Sequence, residues 1–195
     1  MKRHLVIFAR APQRGRVKSR LAEGIGGGAA LQFYRRTLAT VLRRVGRDRR
    51  WRSVLAVTPD HAARSARAWP MKLPLRRQGA GDLGVRMARA LRNYPAGPVC
   101  IIGADIPDID APLVWRAFKA LAAADVVFGP AEDGGYWLVG AQSGRRFNFF
   151  GGVRWSTKHA LADTRSNLNG RRVALIERLA DIDDAAAYRR WRGAR

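Results

Sequence analysis

A chain of 195 residues can bury one complete core but not comfortably two, so one domain over residues 1–195 is expected. Its 37 Lys and Arg against 15 Asp and Glu give a net charge of +22, a surface that attracts polyanions of any kind, nucleotides and RNA included. The apolar run Leu5 to Ala9 is too short for a signal-peptide core, nothing approaches the roughly 18–20 apolar residues of a bilayer span, and the single Cys100 excludes internal disulfides and a Cys-built metal cluster, so a soluble cytoplasmic protein is expected.

His4 to Ala9 reads as a first buried strand, followed by the basic loop Arg10-Ala-Pro-Gln-Arg-Gly-Arg-Val-Lys-Ser-Arg20. In α/β nucleotide-binding folds this is where phosphate is cradled, and Arg10, Arg14, Arg16, Lys18 and Arg20 supply forked or point-charge donors there. The loop is neither a Walker A segment nor a Rossmann fingerprint. Gly26-Gly-Gly28 reads as a flexible lead-in to a helix whose core stripe is Leu31, Tyr34, Leu38, Val41, Leu42 and Val45. A second strand, Ser53 to Thr58, is closed by Pro59-Asp60. A short helix to Trp69 and an edge-like strand, Leu73 to Arg77, come next. In Gln78-Gly-Ala-Gly-Asp-Leu-Gly-Val-Arg-Met87 a Gly-rich turn opens a helix with the stripe Leu83, Met87, Leu91 and Tyr94, which leaves Arg86 one position off it. Gln78 and Gly79 lie at a strand end, within reach of a base or ribose.

Val99, Cys100, Ile101 and Ile102 form an unbroken apolar run suited to a central parallel strand covered on both faces. Gly103 and Pro107 end the pairing and leave Asp105 at the carboxyl end, where open α/β sheets place their ligands. A carboxylate between small residues there is a candidate Mg²⁺ or Mn²⁺ ligand, or else a helix cap. Asp108 and Asp110 read as caps for a helix running to about Ala123. Asp125 to Phe128 is a further strand, and Asp133-Gly134-Gly135 is a turn between two β-type runs, so a hairpin follows. Asp133 is the second carboxylate placed in a site, with Glu132 beside it solvated. The aromatic, Gly-rich loop Phe147 to Val153 leads to Trp155-Ser-Thr157, where Ser156 is expected to cap a helix over Lys158 to Leu168 with His159 as a surface residue. Arg172 to Leu179 is a last strand, and Asp181-Ile-Asp-Asp184 opens and caps a last helix, Ala185 to Trp191. Trp51 and Trp191 read as exposed aromatics. Strands alternating with helices plus one late hairpin give a three-layer α/β/α fold with a mostly parallel central sheet. No recognition-helix pattern or RNA-binding signature accompanies the charge, so specific nucleic-acid binding is not expected.

The segments Phe8 to Leu21, Gln78 to Met87, Gly103 to Pro107, Pro130 to Tyr136 and Trp155 to Thr157 together resemble, in order, the motifs of the bacterial selenodomain-associated transferases. That family is glycosyltransferase-A-like and Rossmann-like, in the nucleotide-diphospho-sugar transferase superfamily, and is similar to the guanylyltransferases of phospholactate and molybdenum cofactor. The resemblance implies that Lys18 and Arg20 hold nucleotide phosphates, that Asp105 binds the divalent metal, Mg or Mn, and that Gln78, Gly79 and Gly84, with Arg10 and Gly15, lie on the nucleotide side. It places Asp133, Gly134, Gly135 and Tyr136, with Trp155, Ser156 and Thr157, on the acceptor side, with Lys18, Asp105 and Asp133 carrying the chemistry. Ser19 stands where Thr is usual, and Ile109 where Leu is. The last acidic segment lacks the Thr that commonly follows its second acid, so the metal assignment rests on Asp105 without Asp181 or Asp183. The expected activity is Mg-dependent nucleotidyl transfer from a nucleoside triphosphate to a small phosphorylated or hydroxylated acceptor. The alternatives are glycosyl transfer from a nucleotide sugar and nucleotide or RNA binding without turnover.

Overall fold

The computed structural model describes residues 2–143 and 149–194, which leaves Phe147 and Asn148 of the aromatic loop outside the described residues. The strands are β1 (His4–Arg10), β2 (Arg52–Thr58), β3 (Leu75–Arg77), β4 (Val99–Gly103), β5 (Val126–Pro130), β6 (Tyr136–Ala141) and β7 (Val173–Leu175). The helices are α1 (Ser19–Ile25), α2 (Gly27–Val45), α3 (Leu83–Arg92), α4 (Ala111–Ala120), α5 (Ala160–Ser166) and α6 (Ala185–Gly193). Among the described residues no helix is long and apolar enough to cross a membrane.

The strands form one sheet in the order β3-β2-β1-β4-β6-β5-β7. Strand β1 lies parallel between β2 and β4, whereas β6 runs antiparallel to both β4 and β5. The chain therefore builds outward from β1 to β3, then returns to the other side of β1 with β4. That reversal opens a crevice beyond the carboxyl ends of β1 and β4, the switch point at which open α/β sheets bind ligands.

Both faces of the sheet are covered, which is why its central strands are apolar throughout rather than alternating. Leu5, Ile7, Leu55, Cys100 and Ile102 pack with Leu38, Leu42, Val114 and Phe118 of α2 and α4. On the opposite face Val6, Ile101, Val139 and Phe128 pack with Met87 and Leu91 of α3 and with Phe149 and Leu168. Burial pushes the Cys100 thiol pKa up, consistent with a core role. A third, smaller cluster of Leu21, Ala30, Phe33 and Ile182 joins α1, α2 and the segment before α6.

Several local expectations change. Ser19 and Arg20, read as the end of the basic loop, open a helix over Ser19–Ile25, α1, which Gly26 separates from α2 at φ +84°. The segment after β2 is two short 3₁₀ turns, Asp60–Arg64 and Ala66–Ala68, rather than one helix. Asp110 caps α4 as expected, accepting from Leu113 N at 2.9 Å. Ser156 does not cap α5: its backbone is left-handed, at φ +60°, and the helix begins only at Ala160. The last strand shrinks to three residues, with one further bridge between Ala131 and Leu179. Trp51 is buried, its indole donating to the Val45 carbonyl at 2.9 Å.

The β5–β6 hairpin is set by its turn. Asp133 accepts from Gly135 N at 2.8 Å, and Gly134 adopts φ +85°. Gly134 also lies directly against the Lys158 backbone, and its carbonyl accepts from Leu161 N at 3.1 Å. A side chain at 134 would meet both a disfavoured φ and that backbone. Gly134→Ala is therefore expected to lower stability by about 2 kcal/mol or more, whereas Gly151→Ala, which has open space, should be nearly neutral. Urea unfolding of the two variants checks this, and equal midpoints would refute it.

Candidate functional site

Beyond the ends of β1 and β4 lies a cavity of about 560 Å³, a volume in the range of small-molecule sites. Arg10, Arg16, Lys18, Arg20 and Arg86 contribute five basic groups to its wall, and Asp105 and Asp183 two acids. Phe8, Tyr34, Leu83 and Val17 supply apolar surface between them.

Lys18 is the centre of the site. It occupies the left-handed region, at φ 48° and ψ 49°, just before α1, an uncommon conformation for a residue with a Cβ. Its side chain is only 4% exposed, and its ammonium meets three carboxylates: Asp105 at 3.3 Å, Asp181 at 3.1 Å and Asp183 at 2.7 Å. Asp105 comes from the end of β4, where Gly103 and the buried Ala104 leave room for its carboxylate. Asp181 and Asp183 arrive from the opposite end of the chain. They are carried there by the docking of α6, whose Ala185 packs directly on Gly24 of α1 while Phe33 packs edge-on against Tyr188 and Trp191. Asp184 caps α6 by accepting from Ala187 N at 2.7 Å, so Asp181 and Asp183 are not spent on the helix.

Ligand oxygens of Asp105, Asp181 and Asp183 lie within 4.8 Å of one another, a donor set suited to a hard divalent cation. The sequence reading, which set Asp181 and Asp183 aside, is thereby extended: three acids converge where one was expected. Burial alone would lower the Lys18 pKa, but the combined charge of Asp105, Asp181 and Asp183 holds it above its ordinary value. Burial pushes Asp181 up to about 6, against the attraction of Lys18, with the negative charges of Asp105 and Asp183 adding to the push. Burial also acts on Asp183, but Lys18 and an ion pair with Arg20 outweigh it and hold that acid below the usual range.

Gln78 is buried, and its side chain ties three elements together. Its amide donates to the carbonyls of Ala56, at 2.9 Å, and Ala9, at 3.4 Å, while its oxygen accepts from Arg86 at 2.9 Å. Gln78 lines the cavity together with Arg86, the residue placed one position off the helical stripe. Arg86 also donates to the Asp82 carbonyl at 3.2 Å, and burial, with Arg10 nearby, lowers its pKa. Arg10 is steadied by Tyr34, whose hydroxyl accepts from Arg10 N and donates to Arg10 O.

The other expected residues divide sharply. Ser156 lines the cavity. Gly84 instead packs against Phe150 and Trp155, and Gly79 against Arg89. Gly15, at φ +72°, shapes the basic loop with open space around it. Tyr136 points into the aromatic cluster of Phe128 and Trp155, with its hydroxyl 3.5 Å from Thr164. Thr157 bonds locally to Arg154 O and His159 N. Asp133 holds its own turn, although its charge reaches Arg20.

The raised pKa of Asp181 has a consequence for stability. An acid with a folded pKa above its unfolded value leaves stability intact below about pH 4 and weakens it as pH rises through 6. In chelator at pH 7.5, Asp181→Asn should therefore unfold roughly 3–6 °C above the parent, a gain of about 1–2 kcal/mol, with the difference shrinking as pH falls through 6 and vanishing only below about pH 4. A parent protein more stable than the variant at pH 7.5 would contradict this.

The chain is similar to several solved structures. A provisionally named nucleotide-diphospho-sugar transferase from Desulfovibrio desulfuricans G20 superposes with a TM-score of 0.85 at 28% identity, over 94% of this chain and 84% of that one. A nucleotidyl transferase from Methanothermobacter thermautotroptrophicus gives 0.66 at 14% identity, over 99% and 97% of the two chains. CMP:2-keto-3-deoxy-manno-octonic acid synthetase, solved with CTP, gives 0.61 at 13%, over 100% and 98%. The last two identities speak for the fold alone. No curated protein matches the sequence. Residues 41–157, more than half of the chain and including β4, Asp105 and the β5–β6 hairpin, match the family described as "Uncharacterized protein conserved in bacteria (DUF2064)", and the chain belongs to that family.

Proposed function

We propose that residues 1–195 form one nucleotide-binding domain that acts as a transferase on a nucleotide-activated substrate, with Mg²⁺ or Mn²⁺ held by Asp105, Asp181 and Asp183. The observation that carries this reading is the convergence of three acids, two of them lining the cavity, beside a basic wall at the switch point of the sheet. The fold shared with the Desulfovibrio desulfuricans transferase and the nucleotidyl transferases supports it.

The preferred reaction is nucleotidyl transfer. An acceptor oxygen attacks the α-phosphorus of a nucleoside triphosphate, the bond from that phosphorus to the bridging oxygen breaks, and pyrophosphate leaves. Such a reaction needs positioning and charge neutralisation more than a protein nucleophile. A cation bound at the acids would supply part of that neutralisation. Arg10, Arg16, Arg20 and Arg86 would hold phosphate oxygens, with Gln78 fixing the angle of Arg86. Ser156 is the acceptor-side group that faces the cavity, while Asp133, Gly134 and Gly135 shape the neighbouring loop. The Desulfovibrio desulfuricans relative favours a second reading, glycosyl transfer from a nucleotide sugar, in which a nucleoside diphosphate leaves.

A thermal-shift panel of nucleoside triphosphates and nucleotide sugars, each with Mg²⁺, Mn²⁺ or chelator, tests the reading. A ligand at about 100 times its dissociation constant adds roughly 2.7 kcal/mol, and the shift should need the metal and disappear in Asp105→Ala. Turnover then separates the reactions: pyrophosphate from a triphosphate, or nucleoside diphosphate from a nucleotide sugar. No shift with any nucleotide would overturn the proposal. A salt-sensitive RNA complex that survives Asp105→Ala would replace it with polyanion binding. Arg86→Gln should weaken triphosphate binding by roughly tenfold or more, with a separate cost of about 1–3 kcal/mol to the free protein from the Gln78 oxygen it leaves behind, and unaltered affinity in the folded variant would remove Arg86 from the site.

A further inference from the structure

We infer that the Lys18 ammonium and a divalent cation exclude one another at Asp105, Asp181 and Asp183, so that cation and polyphosphate are taken up together as Lys18 passes from carboxylates to phosphate. This rests on the cation site proposed above and concerns how that site is filled.

The geometry places the ammonium where a cation would sit. Its nitrogen lies 2.7–3.3 Å from one oxygen of each acid, and those acids offer oxygens within 4.8 Å of one another. An ammonium has three donors, and three carboxylates surround this one. A small divalent cation draws carboxylate oxygens to about 2.0–2.1 Å, closer than an ammonium does, and so requires the same central volume. Two cations side by side among these acids would also repel, and the Lys18 side chain, 4% exposed, lies on the buried side of the cluster where solvent screens least.

Lys18 has somewhere to go. Its backbone is held at φ 48°, but its stem has four methylenes, and the cavity it lines is walled by Arg10, Arg16, Arg20 and Arg86. Phosphate oxygens gathered by those guanidinium groups would give the displaced ammonium a new partner. Coupling of this kind is reciprocal: whatever factor phosphate adds to cation affinity, the cation adds to phosphate affinity. The ligand-free protein is then poorly receptive to metal alone, and a metal-bound polyphosphate is its natural ligand.

The experiment uses Mn²⁺ alone, titrated into the full chain and into Lys18→Met, with free Mn²⁺ read by electron paramagnetic resonance. Lys18→Met, which keeps the apolar stem and removes the charge, should bind Mn²⁺ at least tenfold more tightly than the parent. A second measurement needs no variant. Acetic anhydride labelling of the parent, read by peptide mass spectrometry, should modify Lys18 several-fold more when Mn²⁺ saturates the protein, because the amine has been expelled from its acids. Equal or weaker Mn²⁺ binding by a folded Lys18→Met, or Lys18 labelling that stays constant or falls on saturation, would overturn the inference while leaving the cation site standing. Failure of both proteins to bind Mn²⁺ at millimolar concentration would overturn the site and the inference together.

Discussion

One ammonium facing three carboxylates is the constraint around which the site is arranged. Lys18 is almost wholly buried and Asp181 is 18% exposed, whereas Asp183 and Asp105 keep 31% and 43% of their side-chain surface, and withdrawing such charges even partly from water costs energy that their mutual attraction seldom more than returns. Here the balance is worse than for a simple pair, because three acids share Lys18 and, among the described residues, only Asp183 forms an ion pair with a second cation, Arg20. The cluster is therefore not explained by stability. A strained backbone at Lys18 and an acid held near neutrality at Asp181 are features that accumulate where a protein binds or reacts rather than where it merely holds together.

The sheet supplies the frame for this arrangement. Strand β1 lies between β2 and β4, so the loops leaving β1 and β4 emerge side by side, one carrying Lys18 and the other Asp105. Gln78 bonds to the carbonyls of Ala9 in β1 and Ala56 in β2 and to Arg86 in α3. It thereby fixes the second wall of the cavity to the same strands that fix the first. The antiparallel β6 extends the sheet beyond β4, and the turn before it packs on the segment leading to α5.

What could be read from the sequence was what depends on near neighbours. The apolar run before Asp105 and the small residues around it placed that carboxylate at a strand end, and Asp110 and the Asp133 turn are equally local. Asp181 and Asp183 were read as opening and capping the last helix, and their place beside Lys18 depends on Ala185 seating on Gly24, a contact no periodicity encodes. Helix α1 was hidden because seven residues are too few to show a helical stripe, and its order comes with burying Leu21 in the small third cluster. Arg86 was passed over for lying off the buried stripe of α3, yet the side of that helix toward the strand ends is the cavity wall. The resemblance put Tyr136 on the acceptor side, and its ring joins an aromatic cluster with Phe128 and Trp155 that no local pattern announces. Trp51 looked exposed between charged neighbours, and only the fold supplies the Val45 carbonyl that its indole needs.

The docking of α6 also sets how long the site persists. Lys18 and Asp183 are 165 residues apart in sequence, and α6 itself has no fully buried residue. Such a helix belongs to the low end of the range of local opening free energies, while the apolar strands belong to the high end. Undocking of α6 would take two of the three acids away and return Lys18 to water with the seven-stranded sheet still closed. The lifetime of the ligand-free pocket is then governed by α6 lifting off α1 rather than by global unfolding, and any ligand that gathers these acids acts first as a clasp between the segment before α6 and the loops after β1 and β4.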